Sequence, residues 1–131
     1  MNISEKFEFA ATHTLWNSKF TPEKNFELFG KCANPTGHGH NYVIEVVLNV
    51  PADYPWPGIG AIEKIIDENF ISLVDHKNLN LDVPDFKTLN PTVENIAVVA
   101  WRKLTPALAP GLLDRINVWE TDKTYCSYNG S

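Results

Sequence analysis

Two stretches of the chain alternate apolar and polar residues with a period of two. In "EKFEFAATHTLW", Phe7, Phe9, Ala11, His13 and Leu15 fall on one side and Glu8, Thr12 and Thr14 on the other, the pattern of a strand with one buried face. In "HGHNYVIEVVLNV", His38, His40, Tyr42, Ile44, Val46, Leu48 and Val50 share a side in the same way. A proline-rich loop over 50–58 separates these two strands from the rest of the chain. Beyond it the period changes. Ile62, Ile65, Ile66, Phe70 and Leu73 recur at spacings of three and four, which predicts a helix over 60–74 with one apolar stripe. The segment "DHKNLNLDVPDF" breaks that period. A second helix is predicted in "NPTVENIAVVAWRKL", with Asn90 as its cap, Pro91 at its first position and Val93, Ile96, Ala97, Ala100 and Leu104 on its buried side. Finally, "DRINVWET" and "TYCSYN" flank a turn around Asp122 and Lys123 and read as a closing hairpin. The order ββααββ predicts an α+β domain: a four-stranded antiparallel sheet with both helices on one face.

Composition adds bounds to this picture. At 131 residues the chain is one domain, 1–131, with a single core. The net charge of −5, with no clustered Lys and Arg, argues against a nucleic-acid partner. No apolar run reaches the roughly 18 residues of a membrane span, and the start "MNISEKFEF" lacks the layout of a signal peptide, so a cytoplasmic protein with free Cys32 and Cys126 is expected.

The candidate chemistry sits on the strand faces. Side chains two apart on a strand stand roughly 6.5 to 7 Å apart on one face, so His38 and His40 can converge on one ion. His13 lies on the inward face of the strand expected to pair with theirs and supplies a third imidazole. Three histidines with an open fourth position make the catalytic rather than the structural arrangement of zinc, and zinc suits imidazole ligands. Cys32 lies in a loop between Lys31 and the turn-forming "NPTG", where positive charge and a metal favour a thiolate. A carboxylate and an imidazole, Asp75 and His76, come directly after the first helix and could set the charge state of such a thiol. Glu120 shares its strand face with Ile116 and Val118, so an acid occupies a position patterned for burial and needs a partner. That partner is either an arginine or the N–H edge of a 2-amino-pyrimidinone ring. Glu94 falls in the first turn of the second helix, where the helix dipole already favours an acid.

Taken together, these segments resemble the 6-pyruvoyl-tetrahydropterin synthase family across nearly the whole chain. "FEFAATH" is similar to the family's opening strand, "LFGKCANPTGHGHNY" to its cysteine and zinc segment, "DHKNLNLDVPDF" to its acid and histidine loop, "PTVENIAV" to the start of its second helix and "VWETDKTYCSYNG" to its closing hairpin. The resemblance implies Zn2+ on His13, His38 and His40, proton transfer by Cys32 with Asp75 and His76 as its partners, and Glu120 as the pterin anchor with help from Glu94. It implies the tunnelling fold, whose subunits assemble into barrels, typically a homohexamer of two trimers. The implied substrate is 7,8-dihydroneopterin triphosphate, which loses triphosphate as its side-chain diol becomes two ketones. Relatives commonly carry a basic residue directly after the first histidine, where this chain has Thr14, so Lys19, Lys31, Lys77 and Lys123 are the candidate cations for the triphosphate. The rival readings are a sister enzyme, 6-carboxy-tetrahydropterin synthase, and a non-catalytic oligomeric protein that keeps zinc only to join strands.

Overall fold

A computed structural model describes residues 1–33 and 38–131, and for His38 the backbone alone. The expected "NPTG" turn therefore lies outside the described residues. Strand β1 spans Asn2–His13 and strand β2 spans His38–Asn49. They pair antiparallel along their full length, from Asn2 opposite Asn49 to His13 opposite His38. Strand β4, Leu113–Thr121, pairs antiparallel with β2 on its other side, and β5, Thr124–Tyr128, returns along β4 as the expected hairpin. A two-residue strand, β3, Lys77–Asn78, adds in parallel to β1 at Ala11 and Thr12. The sheet is thus five-stranded, in the order β3-β1-β2-β4-β5, and not four-stranded and wholly antiparallel. The fifth strand escapes the pattern because two residues carry no period; Asp75 and His76, both bonded to Ala10, hold it in place.

The apolar parity of the strands survives folding. Phe9, Tyr42, Ile44, Val46, Ile116 and Val118 are all buried on one face. Helix α2, Ile59–Ile66, continues through a wide π turn at Asp67–Ile71 into a last short turn, α3, Ser72–Val74, and together they fill the span predicted for the first helix. After a short helix α4, Leu79–Asp82, the second predicted helix appears as α5, Val93–Leu104. Ile62, Ile66 and Phe70 from the first helical span and Ile96, Ala97, Ala100 and Leu104 from α5 join the sheet residues in one core. Full burial of each large aliphatic or aromatic side chain contributes about 1.5–3 kcal/mol.

The cap of α5 is Thr92, not Asn90. The Thr92 hydroxyl accepts the Asn95 N–H at 3.3 Å, whereas the Asn90 carboxamide accepts the Trp16 N–H and so ties the helix approach to the end of β1. A further helix, α1, Pro22–Phe29, lies between β1 and β2 with Thr21 as its cap. It runs into a single 3-10 turn, Gly30–Ala33, which carries Cys32. Both cysteines are free thiols, and Cys126 packs against the core.

The opposite sheet face is polar and aromatic. Lys6 lies over the Trp119 ring at 4.9 Å, Trp119 stacks on Tyr125 at 5.2 Å, and the Asn117 amide donates to Glu45 at 2.8 Å. No helix among the described residues is long and apolar enough to cross a membrane.

Candidate metal and active site

Strand parity and register build the site. His13, the last residue of β1, faces inward and is fully buried. The β1–β2 register sets Ala11 opposite His40, so the His13 and His40 rings meet diagonally, edge to face, with centroids 4.8 Å apart. Glu120 lies beyond Val118 on the buried face of β4, and its Oε1 is 3.3 Å from His40 Nε2. The partner that its buried position demanded is therefore an imidazole of this chain. Cys32 arrives from outside the sheet. Its carbonyl accepts the Leu15 N–H at 2.6 Å, which docks the 3-10 turn on the end of β1 and brings Sγ to 3.3 Å from His13 Nε2 and 3.8 Å from His40 Nε2.

The potential ligand atoms of His13, Cys32, His40 and Glu120 all lie within 4.8 Å of one another. Ligands on a tetrahedral zinc ion, at 2.0–2.3 Å from the metal, stand about 3.3–3.6 Å apart, so both the spacing and the imidazole, thiol and carboxylate chemistry fit such an ion. The His38 side chain, expected as a ligand, lies outside the described residues.

The surroundings of these groups prepare them. His13 Nδ1 lies 3.1 Å from the Pro91 carbonyl and 2.8 Å from the Tyr42 hydroxyl. The carbonyl only accepts, so the proton sits on Nδ1 and Nε2 turns its lone pair toward Cys32 and the cluster. Burial pushes the Tyr42 hydroxyl far above the ordinary phenol range, with the charges of Glu120 and Cys32 adding to it, so the hydroxyl stays neutral. Tyr42→Phe removes one acceptor from His13 with little change in volume. It should weaken metal binding about 10- to 100-fold, measured by competition with a chromophoric chelator, while the metal-free protein keeps its unfolding midpoint. Burial, and then the charge of Glu120, also raise the Cys32 thiol above its usual range. A cation in the cluster acts in the opposite sense on both groups.

The position of Cys32 depends on a residue that pattern reading passes over. Asn25 is fully buried, and its amide nitrogen donates to the carbonyls of Asn17, Phe20 and Thr21 while its oxygen accepts the Asn17 N–H at 2.6 Å. This knot fixes the path from β1 into α1 and hence into the Cys32 turn. An Asn inside an otherwise polar helix gives no periodic signal, although the Thr21-Pro22 pair is a recognisable helix start.

Asp75 and His76 are held elsewhere. Asp75 Oδ1 accepts the Ala10 N–H at 3.0 Å and lies 3.0 Å from His76 Nδ1, while the His76 N–H donates to the Ala10 carbonyl at 2.6 Å. His76 adopts a left-handed backbone, φ 59°, uncommon for a residue with a Cβ. The Ala10 N–H, and after it His76, holds the Asp75 carboxyl below its usual range. His76 is 83% exposed beside a cleft of about 420 Å3 whose wall includes Thr12, Gly39, His40 and Lys77. Within one chain the Cys32 thiol meets His13 and His40, and the Asp75–His76 pair stands at the β3 edge of the sheet. Glu94 lies exposed in the first turn of α5, where its charge, after burial, raises the Cys126 thiol.

Residues 2–131 match the family model described as 6-pyruvoyl tetrahydropterin synthase. The chain belongs to this family. The 6-pyruvoyl tetrahydrobiopterin synthase of Homo sapiens is 39% identical over 132 residues, covering 98% of this chain and 90% of its own. That of Poecilia reticulata is 40% identical, with 98% and 89% covered. The solved structure of Caenorhabditis elegans 6-pyruvoyl tetrahydropterin synthase superposes with a TM-score of 0.89 at 35% identity, covering all of this chain and 96% of that one. The architecture set by strand parity is thus that of the 6-pyruvoyl tetrahydropterin synthase family.

Proposed function

We propose that this chain is a zinc-dependent 6-pyruvoyl-tetrahydropterin synthase, which converts 7,8-dihydroneopterin triphosphate to 6-pyruvoyl-tetrahydropterin and triphosphate. The observation that carries this reading is the convergence of a thiol, two imidazoles and a carboxylate within 4.8 Å, in a chain that matches this family almost end to end. His13, His38 and His40 hold the metal on this reading. When bound, zinc supplies Lewis acidity that makes protons on the substrate side chain easier to remove. Cys32, beside the imidazoles, moves such a proton. Glu120, at the end of the buried face of β4, accepts the paired N–H groups of the pterin ring and so orients the side chain toward the thiol. Glu94 assists at the same ring. The diol is oxidised as the ring is reduced, so no further redox partner enters.

Asp75 and His76 set the charge of a thiol in a neighbouring copy. The strained, exposed placement of His76 on the β3 edge supports this role, as does an outer edge of β1 that is paired within the chain only at Ala11 and Thr12. Such an edge, together with β5 at the other end of the sheet, suits closure into a barrel by copies of the same chain. A homohexamer of two trimers is the assembly we assign.

A second reading has its own observation: Cys32 Sγ stands at a distance from His13 Nε2 that also suits a fourth ligand, which would close the site as a structural one. The deciding experiment incubates protein of measured zinc content with 7,8-dihydroneopterin triphosphate and identifies the products by mass. The expected products are 6-pyruvoyl-tetrahydropterin and triphosphate. Release of acetaldehyde would assign the 6-carboxy branch instead, and unchanged substrate over fully loaded protein would remove the synthase reading altogether.

A further inference from the structure

A cavity of about 620 Å3 opens between the residues just after β1 and the segment from β3 to the start of α5. Its wall carries four asparagines, Asn17, Asn78, Asn80 and Asn90, and one cation, Lys87, with no acidic side chain. The asparagine orientations are set by the groups they hold. Asn17 accepts the Lys19 N–H at 3.0 Å, Asn78 the Leu81 N–H at 3.2 Å and Asn90 the Trp16 N–H at 3.3 Å. A backbone N–H only donates, so in each case the carboxamide oxygen faces the backbone. The amide NH2 groups of Asn17, Asn78 and Asn90 are left without a protein acceptor among the described residues. Asn80 spends both ends on Thr14, its oxygen on the N–H at 2.7 Å and its amide on the carbonyl at 2.9 Å, and so braces the chain where the cavity begins. Lys87 is exposed and has no carboxylate partner among the described residues.

A wall made of donors and one free cation, with no competing acid, suits an oxygen-rich anion, because phosphate oxygens accept several charge-assisted bonds at once. The volume falls in the range of small-molecule sites. Its position links it to the metal cluster: Thr14 comes directly after His13, and Asn90 directly precedes Pro91, whose carbonyl holds the His13 ring.

We infer that this cavity binds a polyphosphate chain, with Lys87 as its cation and the Asn17, Asn78 and Asn90 amides as its donors. This rests on the synthase reading only in naming the occupant, the triphosphate tail of the pterin substrate. It also gives the tail a cation other than Lys19, Lys31, Lys77 or Lys123, and a place in a chain that carries Thr14 after its first histidine.

The test measures calorimetric binding of tripolyphosphate, orthophosphate and unphosphorylated 7,8-dihydroneopterin to the protein at its native metal content. Two variants accompany it, Lys87→Glu and Asn78→Asp. Asn78→Asp keeps the oxygen that accepts the Leu81 N–H and replaces the inward NH2 with an oxygen, so it inverts the wall without removing the turn. Tripolyphosphate should bind more tightly than orthophosphate, and each variant should weaken it about tenfold or more while leaving dihydroneopterin binding unchanged. Wild-type tripolyphosphate affinity in both variants, or no saturable binding at all, would overturn the assignment. Variant-sensitive tripolyphosphate binding without any dihydroneopterin binding would support the anion site and overturn the pterin reading.

Discussion

Replacing Cys32 by Ala is expected to leave the zinc content of the protein unchanged and to lower kcat by about 10²- to 10⁴-fold, the usual contribution of a positioned proton-transfer group. The expectation comes from how the thiol reaches the cluster. His13 is fixed by strand pairing, by the Pro91 carbonyl and by the Tyr42 hydroxyl, and His40 by the β2 backbone, so both imidazoles keep their places without the sulfur. Cys32 is brought in separately, on a 3-10 turn docked through one backbone hydrogen bond to Leu15. Elemental analysis alongside turnover separates the two roles open to the thiol. Metal retained with turnover lost places Cys32 in the chemistry, and metal lost together with the sulfur makes it a ligand of a closed site. KM should change little, because the proposed ring anchor, Glu120, is untouched.

The second large effect is on stability. Phe70→Ala should reduce the free energy of unfolding by about 3–5 kcal/mol, read as a lower urea midpoint with an unchanged m-value. Phe70 is fully buried and meets Phe9 edge-on, with centroids 5.9 Å apart. Phe9 in turn stacks on Tyr42 at 5.0 Å, and Tyr42 touches His13. The cavity left by Phe70 thus connects to the metal cluster through Phe9, Tyr42 and His13, and a weakened metal affinity should accompany the loss of stability.

Much of this architecture is legible in the chain because both signals are periodic. The alternation from Phe7 to His13 and from His40 to Val50 specifies which histidines face inward, and the same parity places Glu120 beside Val118 and therefore over His40. Helix α1 is not legible, for a physical reason. Its apolar residues Phe26 and Leu28 remain about half exposed, so no stripe marks it, and it is held instead by the buried carboxamide of Asn25. Strand β3 is too short for any period. The cap of α5 falls on Thr92 rather than Asn90 because Asn90 is engaged by Trp16, a residue 74 positions away. The Pro91–His13 contact spans 78 positions and carries no local signature. Asp75 and His76 are recognisable as a pair, but their attachment to Ala10 across the edge of β1 depends on the fold.

The wide turn at Asp67–Ile71 has a consequence for how this chain tolerates change in length. One α-helical residue advances the helix by about 100°, so a single deletion in that turn would return the helix to regular spacing and swing everything after it out of phase with β1. Asp75 would then miss the Ala10 amide, and the histidine beside it would lose its displayed, left-handed pose. The irregular turn acts as a phase adjuster between the packed stripe of Ile62, Ile66 and Phe70 and the acid that docks on the neighbouring strand.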